Sequence, residues 1–335
     1  RPISTLEVGT LVLTHLGRWR PINKVMRRMT GETVLVSAQG SPKIHATPEH
    51  PFLIESGEWA DAKTLGGQRI VQILPEQGSP IDGSDAYWWM VGRYLADGYC
   101  QDRKGRENAG RVTFCIGKHK LQPVLDQVEM AGFHAYVSEE RTAYKLAFTR
   151  NDFYRNMKIF GRGASEKDIP GHIVASLSTD QAESLLSGYL AGDGCYKPKN
   201  GWEAGTTSKA LAYSLALVAQ KARRVVCSVV VRIPPATKEI EGRTINQKPL
   251  WTISIPDRNR SAWVSGSRGV KLCRKVEPAG PAEVWNISVT EDGLRPSPRG
   301  LRRAGGYAWT NPAPGEGECR GCELERVLGK KCSLH

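Results

Sequence analysis

Trp88-Trp89-Met90-Val91-Gly92-Arg93-Tyr94-Leu95-Ala96-Asp97-Gly98 returns, altered but recognisable, as Leu185-Leu186-Ser187-Gly188-Tyr189-Leu190-Ala191-Gly192-Asp193-Gly194. Each stretch reads as an apolar helix with a glycine in its middle and Asp-Gly at its end. About 96 positions separate the two aspartates, roughly half a small domain. A single apolar helix ending in Asp-Gly is a common helix stop, so the repetition is what carries meaning. Gly92 with Ala96, and Gly188 with Gly192, put small residues on one face, which lets two helices approach closer than the usual ~8–10 Å. Such a pair would bring the two helix ends together and set Asp97 opposite Asp193. The weakly negative ends would then add to the pull of both acids on a divalent cation.

Working outward, the stretches on either side of the pair repeat as well. After the first come a polar, basic region (Gln101 to Arg106), a strand (Arg111 to Ile116), a helix from Lys118 to Val128 and a strand from Tyr144 to Phe148. After the second come Gly205 to Ser208, a helix from Lys209 to about Val226, and strands Val229–Ile233 and Leu250–Ile255. Each half reads helix, strands, helix, strands, for which internal duplication is the economical account. The regions outside are β-rich. Strands are expected at Thr10–Thr14, Thr33–Ser37 and Ile70–Leu74, with a proline-broken strand from Ile44 to Ile54 and a linker from Pro75 to Ser84.

Composition sets the bounds. The 335 residues carry a formal net charge of +13, which favours a polyanionic partner, nucleic acid first. No run of about 18 apolar residues suggests a membrane span, and nothing near Arg1 has the apolar core of a signal peptide. A chain beginning with Arg1 is expected to be a fragment or a processed product. Five of the eight cysteines (Cys100, Cys115, Cys195, Cys227, Cys273) stand singly, as in a reducing compartment. The expectation is a cytoplasmic, DNA-associated monomer with no membrane partner.

The motif pair resembles the LAGLIDADG motif of two-repeat homing endonucleases, Met90 to Gly98 matching it once and Leu186 to Gly194 again. Both copies lack the motif's middle acid, having Leu95 and Ala191 there. The flanks resemble a Hint domain, the self-processing fold of inteins: Gly9 to Thr14, then Thr47-Pro48-Glu49-His50-Pro51-Phe52, and Glu283 to Val289 as the closing strand. Together they imply an α+β chain in which a pseudo-two-fold LAGLIDADG endonuclease, two αββαββα-like repeats, is inserted in an all-β Hint domain. The implied divisions are residues 1–84 and 266–293 for the Hint parts and 85–265 for the nuclease, with repeats at about 85–160 and 180–260. A Pro-, Gly- and Arg-rich tail covers 294–335.

The resemblance implies roles. Asp97 and Asp193 would be catalytic and would ligate Mg²⁺, or Mn²⁺, since hard oxygen ligands, water and phosphate suit such ions. The cation would serve phosphodiester hydrolysis of double-stranded DNA. Lys167, in Glu166-Lys167-Asp168-Ile169-Pro170, and Lys248 are candidate helper cations. Arg103, Lys104, Arg106, Arg111 and Lys145, with Arg232, Lys238 and Arg243, are strand or loop cations suited to DNA, most of them to phosphates. Thr47 and His50 match the residues that polarise the first peptide bond in Hint processing. Splicing also needs a terminal His-Asn, which the sequence lacks, and a Cys, Ser or Thr as first residue, where only Ser4 or Thr5 falls nearby. In the tail, Cys319, Cys322, Cys332 and His335 form a Cys-x2-Cys, Cys-x2-His set that could hold Zn²⁺. Two other classes of function stay open: autocleavage or splicing by the Hint part, and DNA binding without catalysis.

Overall fold

The computed structural model describes residues 3–73, 81–106, 108–240, 243–257, 263–265 and 268–289. The chain divides into two compact units. One holds 1–76, 224–230 and 258–313; the other holds 77–223, 231–257 and 314–335.

The first unit is built of strands β1 (Leu11–Leu13), β2 (Trp19–Thr30), β3 (Thr33–Ala38), β4 (Ile44–Ala46), β5 (Pro51–Leu53), β6 (Trp59–Asp61) and β7 (Arg69–Ile73). Strands β18 (Trp263–Ser265), β19 (Arg268–Ala279) and β20 (Ala282–Val289) join them from far along the chain. β1-β2-β20 form one sheet; β18-β19-β3-β4 form another, in which β19 also pairs with β7. Val34, Val36 and Ala38 of β3 alternate onto a core with Phe52, Leu65, Ile70 and Cys273. A second cluster joins Leu6, Val12, Ile22 and Ile287. The sequence gives no hint of β2, because only Ile22 of its twelve residues is buried. Its pairing with β20 from Ile22 to Thr30, rather than an apolar period, holds it as a strand.

The second unit repeats itself. Its first half runs α1 (Asp85–Asp97), β8 (Gly98–Asp102), β9 (Gly110–Gly117), α2 (Leu121–Met130), β10 (Tyr136–Glu139), β11 (Ala143–Phe148) and α3 (Asn151–Lys158). After the short α4 (Gly171–Ser176), the second half runs α5 (Thr179–Asp193), β12 (Gly194–Lys197), β13 (Gly201–Thr206), α6 (Lys209–Arg223) and β14 (Ser228–Arg232), the last of which begins in the stretch 224–230 counted with the first unit. A hairpin, β15 (Thr237–Ile240) with β16 (Arg243–Asn246), is added before β17 (Leu250–Ile255). The sheet orders are β8-β9-β11-β10 and β12-β13-β17-β14. With the hairpin set aside, both are first, second, fourth, third. The second half departs from the expected αββαββα only in that hairpin and in having no counterpart of α3 among the described residues.

Serine starts both motif helices: the Ser84 side chain accepts from the Tyr87 amide, and Ser178 forms a capping box with Gln181. Their ends differ from an ordinary glycine stop. Gly98 (φ −92°, ψ 160°) and Gly194 (φ −89°, ψ 145°) are extended, so each helix runs directly into the first strand of its sheet. Space, rather than a left-handed conformation, requires glycine there. A Cβ on Gly98 would lie 2.7 Å from the Tyr94 carbonyl oxygen, and one on Gly194 would lie 2.7 Å from the Leu190 Cα.

Candidate active site

Helices α1 and α5 pack against each other at the centre of the second unit. Met90, Val91, Tyr94, Leu185, Leu186 and Tyr189 are all fully buried there. A Cβ on Gly92 would collide with the Leu185 carbonyl and stand 2.8 Å from the Tyr189 nitrogen. A Cβ on Gly188 would collide with the Trp89 carbonyl and stand 3.1 Å from the Arg93 nitrogen. Backbone therefore lies on backbone at both crossings, which only glycine permits. One turn on, Gly192 faces the Ala96 methyl, with Arg93 Nη1 and Asp97 Oδ2 each 2.7 Å from where its Cβ would be.

That approach sets the two aspartates side by side in charge. Asp97, the last residue of α1, is about a quarter exposed, and Arg93 Nη2 meets its Oδ2 at 2.7 Å. Burial raises the Asp97 carboxyl, against which Arg93, Lys120 and Lys167 act. Asp193, the last residue of α5, is open to solvent on one side, and no ion pair holds it among the described residues. Its inner side is desolvated, which together with Asp97 pushes its carboxyl up to about 6; Lys167, Arg93 and Lys120 again oppose.

Two lysines occupy equivalent places beneath the acids. Lys167 Nζ donates to the carbonyls of Leu95 (2.9 Å) and Ala96 (3.4 Å), and lies 5.3 Å from the centre of the Tyr94 ring. Lys120 Nζ donates to the carbonyls of Ala191 (2.8 Å) and Gly192 (3.2 Å). Each lysine thus caps the two carbonyls that precede one aspartate. The helix ends therefore do not add free negative charge to the pull on a cation, as the sequence suggested; a lysine neutralises each. Lys167 is 2% exposed, and desolvation lowers its amine to about 8, with Asp193 and Asp97 opposing.

Sequence reasoning brought Asp97, Asp193 and Lys167 together and missed Lys120 and Arg93. Lys248, the other expected helper, is exposed, reaches Ser165 Oγ at 3.4 Å, and is not among the charges that act on either acid. The position it was expected to fill is taken by Lys120. A cue for Arg93 was present: an arginine inside an apolar helix, four residues before Asp97, is spaced to pair with it. Lys120 lay in the cationic run Lys118-His119-Lys120, with nothing local to single it out.

The donor chemistry fits a hard divalent cation, which two carboxylates can hold while water and phosphate oxygens complete its shell. Among the described residues there is no cluster of three or more His, Cys, Asp or Glu that could cage a metal without outside ligands. Cys319, Cys322, Cys332 and His335 lie outside the described residues. The expected DNA contacts are placed as follows. Arg103, Lys104 and Arg106 are exposed on the turn between β8 and β9, and Arg111 is exposed on β9. By register, Tyr99, Gln101, Arg111, Thr113, Cys115 and Lys145 share one sheet face, opposite the buried Val112, Phe114, Ile116, Leu146 and Phe148. Asp97 and Lys167 both act on the Cys115 thiol, so this face adjoins the acids. Lys145 is held by Glu140 at 2.7 Å. Arg232 and Lys238 are exposed, and the side chain of Arg243 lies outside the description.

In the other unit, Thr47 and His50 sit on one turn between β4 and β5, where the His50 amide donates to the Thr47 carbonyl at 3.0 Å. The His50 ring meets Phe52 edge-on, its centre 5.4 Å away. Glu49 between them pairs with Arg28 at 2.9 Å. Among the described residues no helix is long and apolar enough to cross a membrane.

No family model matches the chain, and no curated protein does. Solved structures do. The homing endonuclease I-DmoI in complex with DNA and Mn is 13% identical over 51% of this chain and 89% of that one, with a TM-score of 0.35. Mesophilic variants of the same endonuclease give 14% identity, 51% and 88% coverage, and a TM-score of 0.35. Full-length DUF199/WhiA from Thermatoga maritima is 11% identical over 52% of each chain, with a TM-score of 0.32. The structures this chain is similar to thus include homing endonucleases and a protein with an N-terminal LAGLIDADG domain.

Proposed function

We propose that the second unit is a site-specific, metal-dependent endonuclease for double-stranded DNA. The observation that carries this is the paired ending of α1 and α5: two aspartates that feel each other's charge, each with a lysine on the two carbonyls before it. A pseudo-two-fold site suits an antiparallel duplex, because each half can address one strand. Asp97 and Asp193 would hold the divalent cation. When bound, it would supply activation of water and stabilisation of the leaving oxygen. The chain's own contribution is positional. Gly92 and Gly188 fix the separation of the helices, and Lys167 and Lys120 fix the two ends and offset charge near the scissile phosphates. The exposed cations Arg103, Lys104, Arg106 and Arg111, with Arg232, Lys238 and Arg243 from the second half, would meet phosphates; the Tyr99–Lys145 sheet face would meet base edges.

The test is to incubate the purified chain and Mg²⁺ with a pool of duplexes carrying random windows, and to sequence the ends produced. A defined sequence enriched at the ends is expected, absent with Asp97→Asn and with Asp193→Asn. Ends indistinguishable from the no-protein control, or cleavage undiminished in both variants, would sink the proposal.

A second reading concerns the first unit, as a Hint-like frame. It is supported by strands from both ends of the chain sharing its sheets: β2 pairs β20, and β19 pairs β3 and β7. The nuclease unit would then be an insertion, and Thr47 and His50 would act on a peptide bond. Mass spectrometry of a precursor extended at its N-terminus should show time-dependent cleavage that slows in His50→Ala; a precursor stable for days rejects this reading.

A further inference from the structure

Arg93 is out of keeping with its position. It is 1% exposed, in the middle of the α1–α5 crossing, where its counterpart on α5 is Tyr189. Only Nη2 is bonded, to Asp97 Oδ2 at 2.7 Å; Nε and Nη1 have no hydrogen-bond acceptor among the described residues. Burying a guanidinium with two idle donors is unfavourable, so packing alone does not account for it. Space has been left for it. Gly192, where α1 has Ala96, is the residue whose Cβ would come within 2.7 Å of both Arg93 Nη1 and Asp97 Oδ2.

The charges around the acids are therefore unbalanced. Arg93, Lys120 and Lys167 act on both carboxylates, but each lysine is matched by the two helix-end carbonyls it caps, which leaves Arg93 as the cation set directly on the pair. A divalent cation entering this cluster would meet the Arg93 charge at close range and an Asp97 oxygen already engaged. Phosphates from the two DNA strands would offset that charge.

We propose that Arg93 is a built-in counter-ion that withholds the divalent cation from Asp97 and Asp193 until DNA phosphates arrive, so that metal loading follows DNA binding. This rests on the endonuclease reading above and deepens it, by assigning an order to the site. It makes Arg93 a positioning residue that acts through Asp97.

Mn²⁺ binding to the whole chain without DNA, followed by the electron paramagnetic resonance of free Mn²⁺, tests this with no reference to cleavage. Arg93→Met should bind Mn²⁺ at least about tenfold more tightly than wild type or the charge-conserving Arg93→Lys, since one nearby charge of this kind is worth that much or more. The gain should vanish in the double variant Arg93→Met, Asp193→Asn. Equal affinity in wild type and Arg93→Met, abolished by Asp193→Asn, would overturn the role of Arg93 and leave the endonuclease reading intact. A gain that survives Asp193→Asn but is lost with Asp97→Asn would confine the metal to Asp97 and overturn the shared site; one that survives both would show that metal does not bind at the acid pair, and the endonuclease reading would fall with it. If Arg93→Met does not fold, wild type decides alone. Mn²⁺ uptake without DNA that is as tight as with duplex, and that Asp193→Asn removes, overturns the proposal; uptake at least about tenfold tighter with duplex, after subtraction of the Mn²⁺ bound by duplex alone, supports it.

Discussion

Helices α1 and α5 are copies of one design, yet their two aspartates have different surroundings. Asp97 is drawn inward, bonded to a buried arginine; Asp193 stands open, with charges near it but none paired with it among the described residues. Lys167 beneath the first end is buried, whereas Lys120 beneath the second is half-buried. The shared features are backbone: glycine crossings, capped starts, a helix running directly into a strand. The differences are charges. Geometry in this unit is symmetric, and electrostatics is not.

The largest effect expected tests what the halves share. Asp97→Asn and Asp193→Asn should each lower Mg²⁺-dependent cleavage by about 10³-fold, roughly 4 kcal/mol, while DNA retention in a mobility-shift assay stays close to wild type. Urea unfolding should then separate the two acids. Asp97→Ala strands the Arg93 charge and should cost about 2–4 kcal/mol, whereas Asp193→Ala, which removes an open carboxylate, should cost little. Equal losses of stability would mean that the asymmetry around the acids has no energetic content.

Next are the crossings. Gly92→Ala and Gly188→Ala each press a methyl onto a backbone carbonyl, which cannot move aside as a side chain can. Each should destabilise by about 2–3 kcal/mol. Gly31→Ala, where nothing lies within 4 Å, is the control. Gly192→Ala meets side chains instead, so its stability loss should be smaller, but it displaces Asp97 and should slow cleavage by about tenfold.

These same residues mark how far the sequence could be read. The motif pair was legible because a repeat stands out from background: Gly92, Gly188, Asp97 and Asp193 each support the reading of their counterpart. The short strands β3 and β7 were legible from β-branched runs, and β20 only from its resemblance to a closing Hint strand. β2 was not, because a twelve-residue ribbon with one buried side chain carries no apolar period. Lys120 was not, because its target carbonyls are some seventy positions away, and only the fold brings them together. Lys248 was misplaced for the converse reason: proximity to a strand was read as proximity to a site. Long-range polar contacts leave no local trace in a chain, whereas repeats and periods do.

The pH profile probes the asymmetry through titration. Asp193 titrates at about 6 and must lose its proton to hold a cation, so cleavage should fall by about tenfold per pH unit below about 6. Lys167 titrates at about 8 and is charged below that, so a decline should set in above about 8. The groups interact, and the two limbs therefore belong to the cluster rather than to single residues. Lys167→Met should lose the alkaline limb and keep the acid one. An unchanged alkaline limb in that variant would remove Lys167 from the reaction.

The smallest effects are in the stability of the two lysine variants, and they should differ in their dependence on pH. Burial has lowered the folded-state value of Lys167 below its unfolded one, so between about 8 and 10.5 the folded chain binds fewer protons than the unfolded chain. Stability from this group must then rise with pH across that window, and below it the buried charge is a net cost, on the order of 3 kcal/mol. Lys167→Met relieves that cost but leaves the Leu95 and Ala96 carbonyls without their donor, so near pH 7 it should be neutral or stabilise by up to about 1 kcal/mol. The rise in stability toward pH 10 should also disappear. Lys120 is half-buried, and water can replace its bonds to Ala191 and Gly192, so Lys120→Met should lie within about 0.5 kcal/mol of wild type at either pH. If urea unfolding at pH 7 and pH 10 gave the same pattern for both variants, the two lysines would be equivalent, and burial would not be what distinguishes the halves. If Lys167→Met alone flattens the pH dependence, the fold is holding a charge in place at a cost to its own stability, which a role in the reaction explains and packing does not.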